Sequence, residues 1–265
     1  MPYLPQLATG ALAQYPIRKS REIRSAVNRL EDGSERKLLD PYNHIVSWQL
    51  AYSGLSAEER VKLEEFFEAV EGRLGTFTFL DPTDNLLLWS ERLTNAAWVN
   101  GPMLVFSEGV ADPSGTNRAT RITNSGGTTQ AVEQAVEGPA SYVYCLSLYA
   151  RSTMAASVSL VRSSPNATDI ANYGLTSAWR RLTHSGGFEN SDEIVQFRIQ
   201  LEAGATIDVF GIQVECQPAA SEYKQTTSRS GGYPGARLEN DMLRIVAEDV
   251  GSHSGELLVT ATLAG

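Results

Sequence analysis

Residues 46–82 read VSWQLAYSGLSAEERVKLEEFFEAVEGRLGTFTFLDP. The first part alternates large apolar residues with smaller or polar ones, and the large ones are Val46, Trp48, Leu50 and Tyr52. This period of two is typical of a half-buried strand. Residues 76–80, TFTFL, alternate in the same way, and Asp81-Pro82 then ends the run. The stretch therefore predicts two strands, with about twenty residues between them for another element.

That intervening element is predicted to be a helix. Ser56 is a suitable N-cap, and Glu59 three residues later completes a capping box. The apolar residues then follow at helical spacing on one face: Leu63, Phe66, Phe67 and Val70. Gly72 is suited to a left-handed C-terminal cap. We expect a short sheet with a phenylalanine-rich helix packed on it.

Composition limits the classes of function. The chain has 265 residues, 42% of them hydrophobic, and a formal net charge of −9. No apolar run reaches the roughly 18 residues of a membrane span, and no signal peptide is recognised. No segment carries the basic surface expected for nucleic-acid binding. Cys145 and Cys216 lie in strand-like segments without metal spacing, so we expect buried free thiols, with a disulfide between them as the alternative.

The remaining sequence predicts further strands. Residues 1–20 show no periodicity and are interpreted as an arm, and residues 22–30 as a strand before a turn at Asp32-Gly33. The return strand begins at Arg36 and is expected to be interrupted at Asp40-Pro41. Beyond residue 84, helical periodicity gives way to short alternating runs between Gly, Ser, Asn and Pro clusters, which favours a β-sandwich. The clearest strands there are 142–151, 156–161, 180–185, 195–202 and 206–216.

The last segment decides the domain organisation. Two strands are predicted in residues 236–247 and 255–263, too short a segment to fold alone. We therefore expect residues 1–84 and 232–265 to form one discontinuous domain, interrupted by residues 85–231. The predicted fold class is mainly β: an α+β domain of a small sheet with one helix, carrying an inserted all-β sandwich.

Two parts of the sequence resemble known families. Trp48-Gln49-Leu50-Ala51-Tyr52, the helix start at 55–59, Phe66-Phe67 and residues 77–82 together resemble the belt domain of distal tail and minor tail proteins of siphophages and prophages. Residues 85–91 and 95–98 with later segments resemble jelly-roll, carbohydrate-binding-module-like domains of phage tail proteins; these later segments are 179–182, 211–215 and 223–226.

The first resemblance implies a structural virion protein. Such a protein is a subunit of a distal tail or baseplate ring, commonly six-fold, that is assembled in the host cytoplasm and lies at the tail tip. Its expected partners are further copies of itself, the tail tube, and the tail-tip or hub proteins. Appended domains of such proteins face receptor-binding proteins or host-surface glycan. The alternative function is a carbohydrate-binding module for host-surface glycan, and a glycan hydrolase is the less favoured third.

The sequence contains few signs of catalysis. His44, His184 and His253 have no partners at metal spacing, and residues 251–255, GSHSG, do not match the nucleophile elbow of hydrolases. We therefore expect no enzyme activity, no catalytic or metal-binding residues, and no cofactor. Aromatic residues that could stack on a sugar ring are Tyr149, Trp89 and Trp98. Ring contacts between copies are predicted between basic and acidic residues, namely Arg18, Arg21 and Arg24 with Glu64 and Glu68.

Overall fold

A computed structural model describes residues 1–263, except for the side chains of residues 24, 26 and 39–43. The elements up to residue 80 are β1 (Gln14–Arg29), β2 (Glu35–Leu55), α1 (Ala57–Ala69) and β3 (Phe77–Leu80). The following strands are β4 (Val99–Asn100), β5 (Leu104–Val110), β6 (Ala119–Asn124), β7 (Gln130–Glu137), β8 (Tyr144–Arg151), β9 (Ala156–Ser164), β10 (Ala167–Leu175), β11 (Arg180–Gly186), β12 (Ile194–Leu201) and β13 (Thr206–Glu215). The last three are β14 (Gly232–Leu238), β15 (Arg244–Asp249) and β16 (Ser252–Leu263). The described chain is mainly β with one helix, as the sequence predicted.

The chain divides into two compact units. Unit 1 consists of Met1–Ala8, Leu12–Phe79 and the residues from Tyr233 onward, and unit 2 of Thr9–Ala11 and Leu80–Gly232. This division differs from the boundaries expected from the sequence, because Thr9–Ala11 and residues 80–84 lie with the second unit.

Unit 1 is a six-stranded sheet in the order β1-β2-β16-β14-β3, in which β15 also pairs with β16. The last strand of the chain, β16, pairs antiparallel with β2 from Leu263 opposite His44 to His253 opposite Leu55. This pairing of the final segment with the N-terminal sheet was predicted from the sequence. The core lies around Trp48, whose ring meets those of Phe79 and Tyr233 edge-on at centroid distances of 4.8 and 4.7 Å.

The helix of unit 1 follows the sequence prediction. The side chain of Ser56 accepts a hydrogen bond from the amide of Glu59, whose carboxylate in turn accepts one from the Ser56 amide, so the capping box is present. Phe66 packs edge-on against Phe77 of β3 with ring centroids 5.0 Å apart. The C-terminal end differs from the prediction: the cap residue is Val70, and both Glu71 and Gly72 after it are left-handed, with φ of +53° and +59°.

Three expectations for unit 1 are corrected. β2 continues from Glu35 to Leu55 without the predicted interruption at residues 40–41. The register of its pairing with β1 shifts between Ile23 and Ser25, and the two strands remain paired on both sides of this shift. Residues 1–20 are not simply an arm, because Leu4 and Leu12 are almost completely buried and β1 begins at Gln14. The final segment contains three strands rather than two.

Unit 2 is a jelly-roll sandwich of two five-stranded sheets, with the orders β10-β9-β12-β7-β4 and β11-β8-β13-β6-β5. Tyr144 of one sheet meets Phe197 of the other edge-on, at a centroid distance of 5.7 Å. All five strands that the sequence showed most clearly are present, within two residues at most ends. The sequence missed β4 to β7 and β10, because large apolar residues alternate only weakly along them. Cys145 and Cys216 are buried free thiols, as expected.

Candidate functional site

A shallow cleft of about 320 Å³ in unit 2 gathers residues from three separate segments. Trp89, Glu91 and Arg92 come from the segment between β3 and β4, which forms turns rather than a strand. Glu108 of β5 and Arg118 before β6 line a second side, and residues 225–227 line the third. The cleft therefore combines one indole ring with carboxylates, guanidinium groups and amides.

The backbone of Trp89 is strained. Its φ is +50°, in the left-handed region that bulky residues rarely adopt. Three hydrogen bonds hold it there: its amide donates to the Thr227 carbonyl at 3.0 Å, and its carbonyl accepts from the Arg92 amide at 2.9 Å and from Trp98 Nε1 at 3.1 Å. Such a conformation costs about 1–3 kcal/mol and persists only where its surroundings impose it. It leaves the Trp89 indole half-buried at the cleft.

A buried hydrogen-bond network fixes the segment that carries Trp89. Asn85 is fully buried, and its Oδ1 accepts from the amides of Leu87 and Val214, both at 3.0 Å. Ser90 Oγ accepts from the Thr226 amide at 2.9 Å and lies 2.7 Å from the Tyr223 hydroxyl. Residues 85–90 and 223–226, which carried the jelly-roll resemblance in the sequence, are thus joined by buried hydrogen bonds.

Glu91 provides an oriented acceptor. Its side chain is only 11% exposed, and Arg118 Nη1 donates to Glu91 Oε1 at 3.1 Å. Burial raises the pKa of Glu91, and the opposing influence of the Arg118 charge and of the Tyr223 hydroxyl is smaller. The carboxylate is thus held in a poorly hydrated position, where an additional hydrogen-bond donor would be favourable.

Arg118 is positioned by the loop that precedes it. Asp112 is buried, and its carboxylate accepts hydrogen bonds from the Ser114 amide at 2.8 Å, from the Ser114 and Thr116 hydroxyls, and from the Arg118 amide at 3.3 Å. The Arg118 guanidinium also lies over the ring of Phe210, 4.9 Å from its centroid. The loop from Asp112 to Arg118 therefore orders one wall of the cleft.

The three aromatic residues singled out in the sequence have different environments. Trp89 lines the cleft, whereas Trp98 is 5% exposed and supports Trp89 from the interior through its indole N–H. Tyr149 on β8 is half-buried under the guanidinium of Arg181, 5.5 Å from the ring centroid, and beside the ring of Phe210. Its ring is thus already in contact with protein groups.

The residues predicted for contacts between copies lie in unit 1. Arg18 and Arg21 are exposed on β1, and Arg18 Nη1 donates to Gln49 Oε1 at 3.0 Å. Glu64 on α1 pairs with Arg60 one turn earlier at 2.7 Å, and Glu68 is exposed. The side chain of Arg24 lies outside the described residues.

The part of the chain that the structure describes offers neither a clustered metal-binding group nor a membrane-spanning helix. Among the residues that the structure describes, no group of three or more His, Cys, Asp or Glu side chains could hold a metal ion. Within the same part of the chain, no helix is both long and apolar enough to cross a membrane.

Sequence reasoning missed Glu91, Arg118 and Gln225 as cleft residues. Glu91 and Gln225 stood in the segments that carried the jelly-roll resemblance, but nothing there distinguishes them from solvent-exposed polar residues. Arg118 is more than a hundred residues from Gln225 in the chain. Only the fold brings the three segments together.

The comparisons with known proteins found fold similarity alone. No protein family and no curated protein matches the sequence. Among solved structures, TmCBM61 in complex with β-1,4-galactotriose is 15% identical, with a TM-score of 0.40 over 49% of this chain and 97% of that one. The CBM22-1 xylan-binding domain from Paenibacillus barcinonensis Xyn10C is 12% identical, with a TM-score of 0.39 over 54% and 95%.

A phage protein is also among the similar structures. Tailspike protein 4 of bacteriophage CBA120 is 9% identical in its enzymatically active domain, with a TM-score of 0.40 over 52% of this chain. The match covers only 22% of that tailspike chain. At this level of identity, none of these likenesses identifies a ligand for the present chain.

Proposed function

We propose that unit 2 binds carbohydrate in the cleft beside Trp89. The observation that carries the proposal is the strained Trp89 backbone, which three hydrogen bonds hold so that the indole lines the cleft. Strain of this kind in a folded protein is concentrated at functional sites, because a relaxed conformation would otherwise be selected.

The chemistry of the cleft suits a sugar. One face of a pyranose ring carries C–H groups that pack on an aromatic ring, while its hydroxyls both donate and accept hydrogen bonds. Trp89 supplies the aromatic surface, Glu91 and Glu108 supply acceptors, and the donors are Arg92, Arg118 and Gln225. Two guanidinium groups and two carboxylates balance in charge, which favours a neutral sugar over an anionic one.

Glycan-array screening of the full chain, followed by calorimetric titration of the best ligand, tests the proposal. The variant W89A is expected to weaken binding about tenfold, the equivalent of roughly 1.4 kcal/mol for a lost stacking contact. W179A, at a half-buried tryptophan outside the cleft, is the matched control and should bind like the parent. Absence of any glycan binding by the parent chain, or equal affinity of W89A, would overturn the proposal.

The proposed role of the cleft is binding without turnover. An oligosaccharide that binds is therefore expected to be recovered intact after prolonged incubation with the full chain. Release of shorter saccharides would instead favour the glycan hydrolase that the sequence left open.

We propose, as a second function, that unit 1 assembles copies of the chain into a ring at the tip of a phage-type tail. The specific observation is the β1–β2 ribbon. Within the described residues, β16 pairs with β2 as far as His44, so the part of the β1–β2 ribbon from residue 24 to residue 43 pairs with no third strand there. Large apolar side chains are exposed on this part, Val27 at 48% and Leu38 at 55%. Two-stranded ribbons with exposed apolar residues are stabilised by a partner.

In this function the ring connects the tail tube with the tail-tip proteins, and each copy carries one carbohydrate-binding unit. Size-exclusion chromatography with light scattering, together with electron micrographs, is expected to give a closed oligomer, with six copies as the expected number. A chain that remains monomeric at every concentration tested would overturn the second function and leave the first intact.

A further inference from the structure

Two strands of unit 1 present outer edges of different kinds. Among the described residues, β1 pairs with β2 only and β15 pairs with β16 only, so each has one outer edge without a strand partner. β3, at the other end of the sheet, pairs with β14, and an isolated bridge joins its Thr78 to Tyr3. β1 has 16 residues and β15 has six, and most of their side chains are exposed. Open edges of this length are favourable places for pairing with another chain, because their backbone groups point outward.

The charges along the two edges are opposite. The exposed part of β1 around residues 18–22 carries Arg18 and Arg21 against the single carboxylate of Glu22. Lys19 between them is half-buried, with its ammonium over the rings of Trp48 and Tyr233. β15 ends in Glu248 and Asp249, both exposed, and begins with one arginine, Arg244. Opposite charges of this kind favour contact between the two edges and disfavour contact of either edge with itself.

A groove next to β15 extends the acidic surface. It has a volume of about 520 Å³ and lies between α1 and the chain leading into β15. Its acidic residues are Glu64, Glu68 and Asp241, and its apolar residues are Phe67, Met242 and Ile245. The groove offers apolar contact to a side chain such as Ile23, which is 62% exposed on β1. Two of its carboxylates, Glu64 and Glu68, are those that the sequence paired with the basic strand.

We propose that the outer edge of β1 in one copy pairs with the outer edge of β15 in a second copy. The inference rests on the second proposed function and identifies the surfaces that carry it. Because the two edges differ, the contact is head to tail, and every added copy leaves one edge of each kind open. Such contacts either close into a ring or continue as a filament.

Charge-reversal variants distinguish the β1–β15 contact from other ways in which the copies could assemble. Variant A reverses the β1 edge with R18E and R21E, and variant B reverses the β15 edge with E248R and D249R. Each variant alone places like charges on the two edges. It should therefore need a protein concentration at least ten times higher than the parent to assemble. The mixture of A and B, and the chain with all four substitutions, restore opposite charges at every contact and should assemble like the parent. Circular dichroism verifies that each variant is folded.

Each outcome decides the matter. Assembly of the parent, with loss in A and in B and recovery in the mixture, supports the pairing. If A and B assemble like the parent, or if mixing them restores nothing, the β1–β15 pairing is wrong while ring assembly stands. A parent chain that is monomeric throughout overturns the pairing together with the second proposed function. The carbohydrate titration of unit 2 is independent of all three results.

Cysteine cross-linking provides a second measurement. β2 and β16 separate β1 from β15 within one chain, so S20C combined with V246C can form a disulfide only between copies. Oxidation should yield a ladder of covalent oligomers. The control combines S20C with T168C on the exposed strand β10 and should yield no ladder. Two results would contradict the pairing. One is an equal yield of covalent oligomers from both double-cysteine variants, and the other is no covalent oligomer from S20C with V246C in a sample that is assembled.

Discussion

The indole Nε1 of Trp98 donates a hydrogen bond to the backbone carbonyl of Trp89 at a distance of 3.1 Å. Trp98 is buried, whereas the Trp89 ring lines the cleft, so an interior tryptophan supports the one that is available to a ligand. Both were candidates for sugar stacking from the sequence, and the structure gives them different roles.

This relationship predicts the effect of W98F. The substitution removes the indole donor and part of the buried ring, so unfolding free energy should fall by about 1–2 kcal/mol. Binding at the cleft should also weaken, because the strained Trp89 loses one of its three restraints. The control is W179F, since Trp179 Nε1 has no hydrogen-bond partner among the described residues; its cost should stay under about 0.5 kcal/mol. Denaturant titration gives both values, and equal costs would contradict the prediction.

The positive φ of Trp89 predicts an unusual order of stability. W89G should be more stable than W89A by about 0.5–1 kcal/mol, because glycine adopts φ of +50° without strain and alanine does not. At Ala96, which is exposed and has an ordinary φ, replacement by glycine should instead lower stability. Thermal unfolding of the variants measures both comparisons. A W89A chain more stable than W89G would argue against strain at this residue.

The carboxylate of Asp112 predicts a pH dependence. Burial raises its pKa, but hydrogen bonds from Ser114, Thr116 and the Arg118 amide outweigh burial and hold the pKa below its ordinary value. Its stabilisation is therefore complete above the unfolded-state pKa of about 4 and is lost as the pH falls through the lower pKa of the folded state.

The variant D112N should accordingly cost about 2 kcal/mol near neutral pH, and the difference from the parent should shrink below about pH 4. E202Q, at an exposed glutamate of unit 2, serves as the control and should differ little from the parent. Urea unfolding at several pH values provides the comparison. A cost for D112N that stays constant with pH would contradict the assigned role of the carboxylate.

The capping box of α1 predicts the effect of S56A. Removing the hydroxyl leaves the Glu59 amide without its acceptor, and stability should fall by about 1 kcal/mol. S177A, at an exposed loop serine, is the control and should have little effect. Calorimetry is suited to this measurement because it can resolve separate transitions for the two units. A negligible effect of S56A would imply that tertiary contacts alone hold the helix.

The parts of the fold that could be predicted from sequence are those set by interactions between residues close together in the chain. Ser56 and Glu59 cap the helix through contacts three residues apart, and Gly72 follows it in the left-handed conformation. The strands with strong alternation, such as Tyr144–Arg151, were also predicted within a few residues. The continuity of β2 through residues 40–41 was not, because a pairing partner and a register shift override the local preference of an Asp-Pro pair.

The cleft could be predicted only in part. Trp89 was recognised as an aromatic candidate, but Glu91 and Arg118 in the same cleft were not, and Trp98 is buried and does not line the cleft. These differences depend on burial, and burial depends on residues far away in the chain. The φ of Trp89 is similarly imposed by Thr227 and Trp98, which no local pattern connects with it.

The sequence by itself determined the mainly β composition, the single capped helix, and the need of the last segment for a host sheet, because periodicity and capping act between neighbouring residues. Only the tertiary structure decided which polar residues meet in the cleft beside Trp89 and that, within the described residues, β1 and β15 each keep one edge without a strand partner. Both depend on strand order and on long-range hydrogen bonds, which bring together segments up to about 220 residues apart in the chain.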